Sequence, residues 1–318
     1  MRNRFFLLAA AVLLLWAVPA AAREIYVNNI DGDDRAAGRQ PQAAADLSGP
    51  VQTIAKALRL AESGDHVVLA KTAQPYRESV SLVGSRHSGY PHQPLVIEGN
   101  AAILDGSAQV PPQAWEPYRG AVFRFRPPQM GYQQLFLDDR PAVRVAVSPQ
   151  AGSPPPLGPL RWCFLDGQIY FCVEPMKLPE DYHLSCCRLA TGITLYHVEH
   201  VEIIGLTVQG FQVDGISAFN TARDVRLAEV VCRGNGRSGV TVGGASQVEI
   251  EASLLGNNGQ AQLLTLPHSE TQVRNSRLLS NTAPGWVDQG GWVTIDGKRS
   301  EGGLDDSRAA EKPPKPGQ

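Results

Sequence analysis

The chain has 318 residues, 43% of them hydrophobic and 19% charged, with 29 basic against 31 acidic side chains. That length and apolar content support a large buried core, and the near-neutral balance excludes a chain that binds polyanions through overall charge. The basic residues gather no more densely than Arg223, Arg226, Arg233 and Arg237, so nucleic acid is not an expected partner.

Arg2 and Arg4 precede an apolar run from Phe5 to Val18, and Ala20-Ala21-Ala22 supplies the small residues a signal peptidase requires. Residues 1–22 are therefore predicted to be a secretory signal, which places the mature chain outside the cytoplasm, extracellular or periplasmic. The apolar run is too short for a membrane span, and no comparable stretch follows.

Residues 23–107 carry short strand signals. Glu24-Ile-Tyr-Val27 reads as a strand and Asp31 to Gly49 as a loop, while Gln52 to Ala61 places Ile54, Ala57, Leu58 and Ala61 on one helical face. Strands are then predicted at Val67–Leu69, Ser79–Val83, Leu95–Ile97 and Ala102–Leu104. The short helix is expected to cap the end of a stacked core, which would otherwise expose its apolar interior. Asp31-Gly-Asp33-Asp34 lacks the later Gly and Glu of a calcium-binding loop.

Residues 108–190 break this rhythm and are predicted to be a β-rich insertion. Pro-rich Ser153–Pro159 leads into Arg161–Val173, where Asp166-Gly167 is a strong two-residue hairpin signal. That turn sets Cys163 opposite Tyr170 and Cys172 opposite Arg161, too far apart diagonally for an easy disulfide. Most of the five cysteines are expected to be small buried hydrophobes. The dense aromatics, among them Trp115, Phe125, Trp162 and Phe171, are expected to form the insertion's core.

Residues 191–297 repeat. His200-Val-Glu-Ile203, Asp224-Val-Arg-Leu227, Gln247-Val-Glu-Ile250 and Glu270-Thr-Gln-Val273 start 24, 23 and 23 residues apart. A fixed period of this size predicts an all-β solenoid of stacked parallel coils, each reading strand, strand, turn, strand. Asn235, Asn258 and Asn281 recur in one bend and are expected to form a structural amide ladder, interrupted in the first repeat by Phe211. Residues 298–318, rich in Lys, Pro and Gly, are expected to form a disordered tail.

Tyr26-Val27 with Asp31-Gly-Asp-Asp34, Gly49-Pro-Val-Gln-Thr-Ile-Ala-Lys-Ala-Leu58, Ser63-Gly-Asp-His-Val-Val68, Tyr76-Arg-Glu-Ser-Val80, Pro94-Leu-Val-Ile-Glu-Gly99 and Leu104-Asp-Gly-Ser107 follow one another in a familiar order. The chain resembles secreted proteins of the pectate-lyase-like superfamily, over about residues 24–107 and 192–291. The resemblance implies a right-handed parallel β-helix and a carbohydrate-active role, either a polysaccharide lyase acting on a uronate-containing polymer or a non-catalytic glycan-binding or assembly protein. Calcium as a cofactor is implied by the resemblance alone. So is the location of sugar contacts on the third strand of each repeat, which points to Ser217, Phe219, Asn220 and Thr241 as carbohydrate-binding residues.

A lyase needs a cation to neutralise the uronate carboxylate and a base to remove the neighbouring proton, whereas a hydrolase needs two carboxylates. The third-strand row offers neither set, so the catalytic candidates are Asp214 and Arg237, in the bend just before it. His197 and His200, three apart, are a weak metal signal on a strand-and-turn background, and no metal site is expected.

Overall fold

The computed structural model describes residues 22–128, 131–148 and 150–300, and the predicted signal segment lies outside them except for Ala22. Within this range the protein is mostly β, with three sheets that share one core and are parallel except for one terminal strand. The first sheet has nine strands, in the order Glu24–Val27, His66–Leu69, Leu95–Glu98, Glu199–Ile204, Arg223–Ala228, Gln247–Glu251, Glu270–Arg274, Trp292–Ile295 and Lys298–Ser300. The second runs through Ile103–Asp105, Thr207–Gln209, Val231–Arg233, Leu254–Gly256 and Arg277–Leu278, and the third from Val80–Val83 through Ile193–Tyr196, Asp214–Phe219, Ser238–Val242 and Ala261–Thr265 to Trp286–Asp288.

From Ile193–Tyr196 onward, each pass of the chain adds one strand to each sheet up to Trp286–Asp288, because the 23–24-residue period returns equivalent residues to neighbouring positions. Val201 pairs with Val225, Val225 with Val248 and Val248 with Thr271, in the register the sequence predicts. Alternation then turns Val201, Ile203, Val225, Leu227, Val248 and Ile250 inward, where they are buried, and their neighbours outward. The helix Ile54–Leu60 buries Ile54, Ala57 and Leu58 in this same core. Thr53 caps it by accepting from the Lys56 amide at 3.0 Å, and the Glu78 carboxylate accepts from the Ile54 and Ala55 amides at 2.8 and 2.9 Å. Those bonds satisfy amides that a helix start leaves without partners.

The insertion leaves between a second-sheet strand, Ile103–Asp105, and a third-sheet strand, Ile193–Tyr196. Its two small sheets enclose a separate core built around Trp115, Phe125, Trp162, Ile169 and Phe171. Cys163 lies opposite Tyr170 in the Asp166-Gly167 hairpin, as its turn chemistry requires. All five cysteines are buried and free. Burial pushes the Cys163 thiol up to about 11 and those of Cys186 and Cys232 to about 12, which keeps them protonated.

Two expectations are corrected. Asn235 and Asn258 stack, the Asn235 Nδ2 donating to Asn258 Oδ1 at 3.1 Å, but Asn281 donates instead to Asn257 at 2.9 Å in an exposed position. The buried ladder continues sideways to Gln262, which accepts from Asn258 at 2.8 Å. Phe211 enters it by its backbone, its amide donating to Asn235 Oδ1 at 3.2 Å. The second correction concerns Lys298–Ser300, which is not tail. It folds back antiparallel on Trp292–Ile295 through Asp296-Gly297, both at positive φ, a two-residue turn that favours a hairpin.

Candidate functional site

Asp214 and Arg237, one position apart in register, come together across adjacent strands. Arg237 grips the carboxylate through two bonds, Nε to Oδ1 at 3.0 Å and Nη2 to Oδ2 at 2.6 Å, and Ser238 Oγ adds a third at 2.9 Å. Asp214 is only 1% exposed. The paired carboxylate raises the Arg237 guanidinium above its ordinary value, through the hydrogen bond first. Such a fork fixes both charges on each other.

The sugar-contacting row predicted on the third sheet is largely closed. Ser217 and Thr241, expected to face outward into solvent, are buried, and Thr241 Oγ1 lies 2.7 Å from Ser238 Oγ. The Ser217 hydroxyl has no hydrogen-bond partner among the described residues. Phe219 is half-buried, while Asn220 is exposed at φ 63° with its amide 3.2 Å from His197 Nε2. His197 also meets Thr221 at 2.6 Å, so the two histidines three apart engage different partners and do not converge.

The outer face of the nine-stranded sheet carries an open groove of about 430 Å³. Its floor is two polar rows. His200, Asp224, Gln247 and Glu270 are side by side on four consecutive strands, and Glu202, Arg226, Glu249 and Gln272 form the row two residues further along. At about 4.8 Å per strand, each row extends about 15 Å. Pro91, His92 and Pro94 wall one end.

These side chains hold one another. Arg226 donates to Glu202 at 3.0 Å and to Glu251 at 2.7 Å, Arg274 meets Glu249 at 2.8 Å, and the His200 Nδ1 is bonded to Asp224. The two carboxylates raise the Arg226 guanidinium, the hydrogen bond to Glu251 most of all. Gln247 donates to Glu270 at 3.2 Å, and Gln272 accepts from Arg274 at 2.9 Å. His200 and Asp224 both adopt positive φ, 55° and 50°, a backbone region that residues other than glycine seldom occupy. The sequence carried this signal openly, since the outward partners of Val201, Val225 and Val248 are the polar members of the repeats that define the fold.

No protein-family model matches the chain, and no curated protein matches it. A solved glycoside hydrolase shares this fold. The two are 12% identical with a TM-score of 0.61, over 86% of this chain and 77% of that one. XylC, solved with xylose, aligns at a TM-score of 0.48 with 14% identity, over 86% of this chain and 60% of its own. A lacto-N-biosidase from Eubacterium ramulus aligns at 0.40 with 11% identity, over 80% and 43%. At these identities the first likeness establishes fold.

Among the described residues no three His, Cys, Asp or Glu side chains are grouped to hold a metal. Asp33 is engaged with Arg35, and Asp34 accepts from the Gln52 and Thr53 amides at 2.9 Å. No described helix is long and apolar enough to cross a membrane.

Proposed function

We propose that the chain is a secreted right-handed parallel β-helix protein that binds a polysaccharide along the groove of its nine-stranded sheet. The observation that carries this reading is the groove floor itself. Two rows of carboxylates, amides, an imidazole and a guanidinium, fixed by mutual hydrogen bonds on rigid strands, present donors and acceptors at strand spacing to a hydroxyl-rich chain. Preorganised polar groups of this kind bind without the entropy cost of ordering loose side chains. The glycoside-hydrolase fold neighbour supports the carbohydrate class.

Binding is favoured over cleavage by the state of the charges. A lyase at Asp214 and Arg237 would need that guanidinium to receive a substrate carboxylate, yet it is already forked onto a buried Asp214. In the groove, Arg226 is shared by Glu202 and Glu251, and Glu249 is held by Arg274. A guanidinium already bonded to a protein carboxylate is not free to receive one from a substrate.

Calorimetric titration of the secreted form with neutral, uronate and amino-sugar oligosaccharides tests this, with mass spectrometry of the same mixtures for products. Expected are binding to at least one class, at least ten-fold weaker in Gln247→Ala/Gln272→Ala, and intact oligosaccharides. Unsaturated products that disappear in Arg237→Ala would overturn the reading in favour of a lyase.

A further inference from the structure

The charges of the groove specify which polysaccharide it suits, an inference that rests on the glycan-binding reading above. Four carboxylates line it, from Glu202, Asp224, Glu249 and Glu270, against the single guanidinium of Arg226. Three of the four have a basic partner: Arg226, His200 and Arg274 respectively hold Glu202, Asp224 and Glu249. Glu270 has an amide only, from Gln247 at 3.2 Å. It is exposed, and its negative charge is uncompensated by any cation bonded to it among the described residues.

Directly beside Glu270 on the next strand is Trp292, its register partner on the same face. Trp292 is 63% exposed, the most exposed of the ring-bearing hydrophobic side chains described. Arg299, from the terminal antiparallel strand, sets its guanidinium 4.7 Å from the centre of that ring. The indole is therefore already in use as a cation platform and remains largely open to solvent. A carboxylate about 5 Å from an exposed indole is suited to an alkylammonium group on a sugar, which gains a charged hydrogen bond from one and a cation–π contact from the other.

We propose that Glu270 and Trp292 form an ammonium-binding subsite at the C-terminal end of the groove, and that the ligand is a polysaccharide with unacetylated amino sugars. A uronate polymer would meet repulsion there from Glu270, which no bonded cation offsets. The Gln247 amide, donating to Glu270 Oε2, orients the carboxylate so that its other oxygen is available to the ammonium.

The test compares a β-linked glucosamine pentamer with its N-acetylated counterpart and with a galacturonate pentamer, by calorimetry at low salt. Acetylation removes the charge while keeping the ring, so it isolates the subsite. The wild-type chain should bind the free amine at least ten-fold more tightly than the acetylated form. Glu270→Gln should abolish that preference and Glu270→Asp should keep part of it. Trp292→Ala should weaken the amine, and Arg299→Ala, which uncovers the ring, should not. Equal binding of the amine and the acetylated pentamer, or a preference that survives Glu270→Gln, would overturn the proposal. Binding of only the acetylated or galacturonate pentamer would overturn it while leaving the glycan-binding reading intact, and binding of none of the three, nor of any neutral oligosaccharide, would remove both.

Discussion

Asn258 shows how much one side chain can carry in a stacked fold. Its oxygen accepts from the Asn235 amide at 2.9 Å and from Asn235 Nδ2 at 3.1 Å, while its own nitrogen donates to Cys232 O at 3.1 Å and to Gln262 at 2.8 Å. All of this is buried, so Asn258→Ala leaves several groups without partners and should cost about 3 kcal/mol. Asn281→Ala, at the exposed position, should cost under about 0.5 kcal/mol. Urea denaturation of both variants checks this; equal losses would contradict a buried ladder that ends at Gln262. The recurrence of Asn every 23 residues was legible in the sequence. The slip at Asn281 was not, because its bend is exposed near the C-terminal end of the described stack, where burial no longer selects the register.

His87 is a buried structural histidine. Its two nitrogens are used locally, Nδ1 accepting from the Val83 amide at 3.0 Å and Nε2 bonding to Leu58 O at 3.1 Å, so it joins the capping helix to a third-sheet strand. Burial lowers its pKa below the ordinary 6.5, and the Leu58 carbonyl offsets this only in part. The unfolded chain therefore takes up the proton first. Stability is full above pH 6.5 and falls as the pH drops below it, by at most about 1.4 kcal/mol per unit. Urea midpoints at pH 7.5 and 5.5 should separate further in the wild type than in His87→Gln; an equal separation would contradict this assignment.

Among the elements, the insertion docks through close backbone contacts that composition does not reveal. A Cβ at Gly234, where φ is 65°, would come within 2.6 Å of Phe136 and 2.9 Å of Pro141. One at Gly236 would stand 2.6 Å from the Tyr132 Cβ. Glycine at 234 is thus required both by its left-handed backbone and by the insertion against it. Gly234→Ala should cost about 2 kcal/mol and loosen residues 131–148, which raises their amide exchange. Unchanged exchange there would contradict docking at this bend. Asp166-Gly167 lies between two apolar runs that mark its hairpin, whereas Asp296-Gly297, the same turn signal, is followed by polar residues that carry no strand pattern. Lys298 and Arg299 gain strand structure from backbone pairing with Trp292–Ile295, which polarity does not forbid at a sheet edge.

At the scale of the whole molecule, the parallel pairing of the strands was legible because equal repeat lengths return equivalent residues to neighbouring positions. The groove was marked only by the polar outward positions of the aligned segments. Ser217 and Thr241, on the third strand of each repeat, are buried by tertiary packing, whereas the outward positions of the first strand stay open. The measurement that tests the central claim most directly is a crystal structure of the chain soaked with the oligosaccharide it binds most tightly. The account predicts sugar density across His200, Arg226, Gln247 and Glu270 on the nine-stranded sheet. Density instead along Phe219, Asn220 and the third sheet, with the Arg237–Asp214 pair opened toward the sugar, would contradict it.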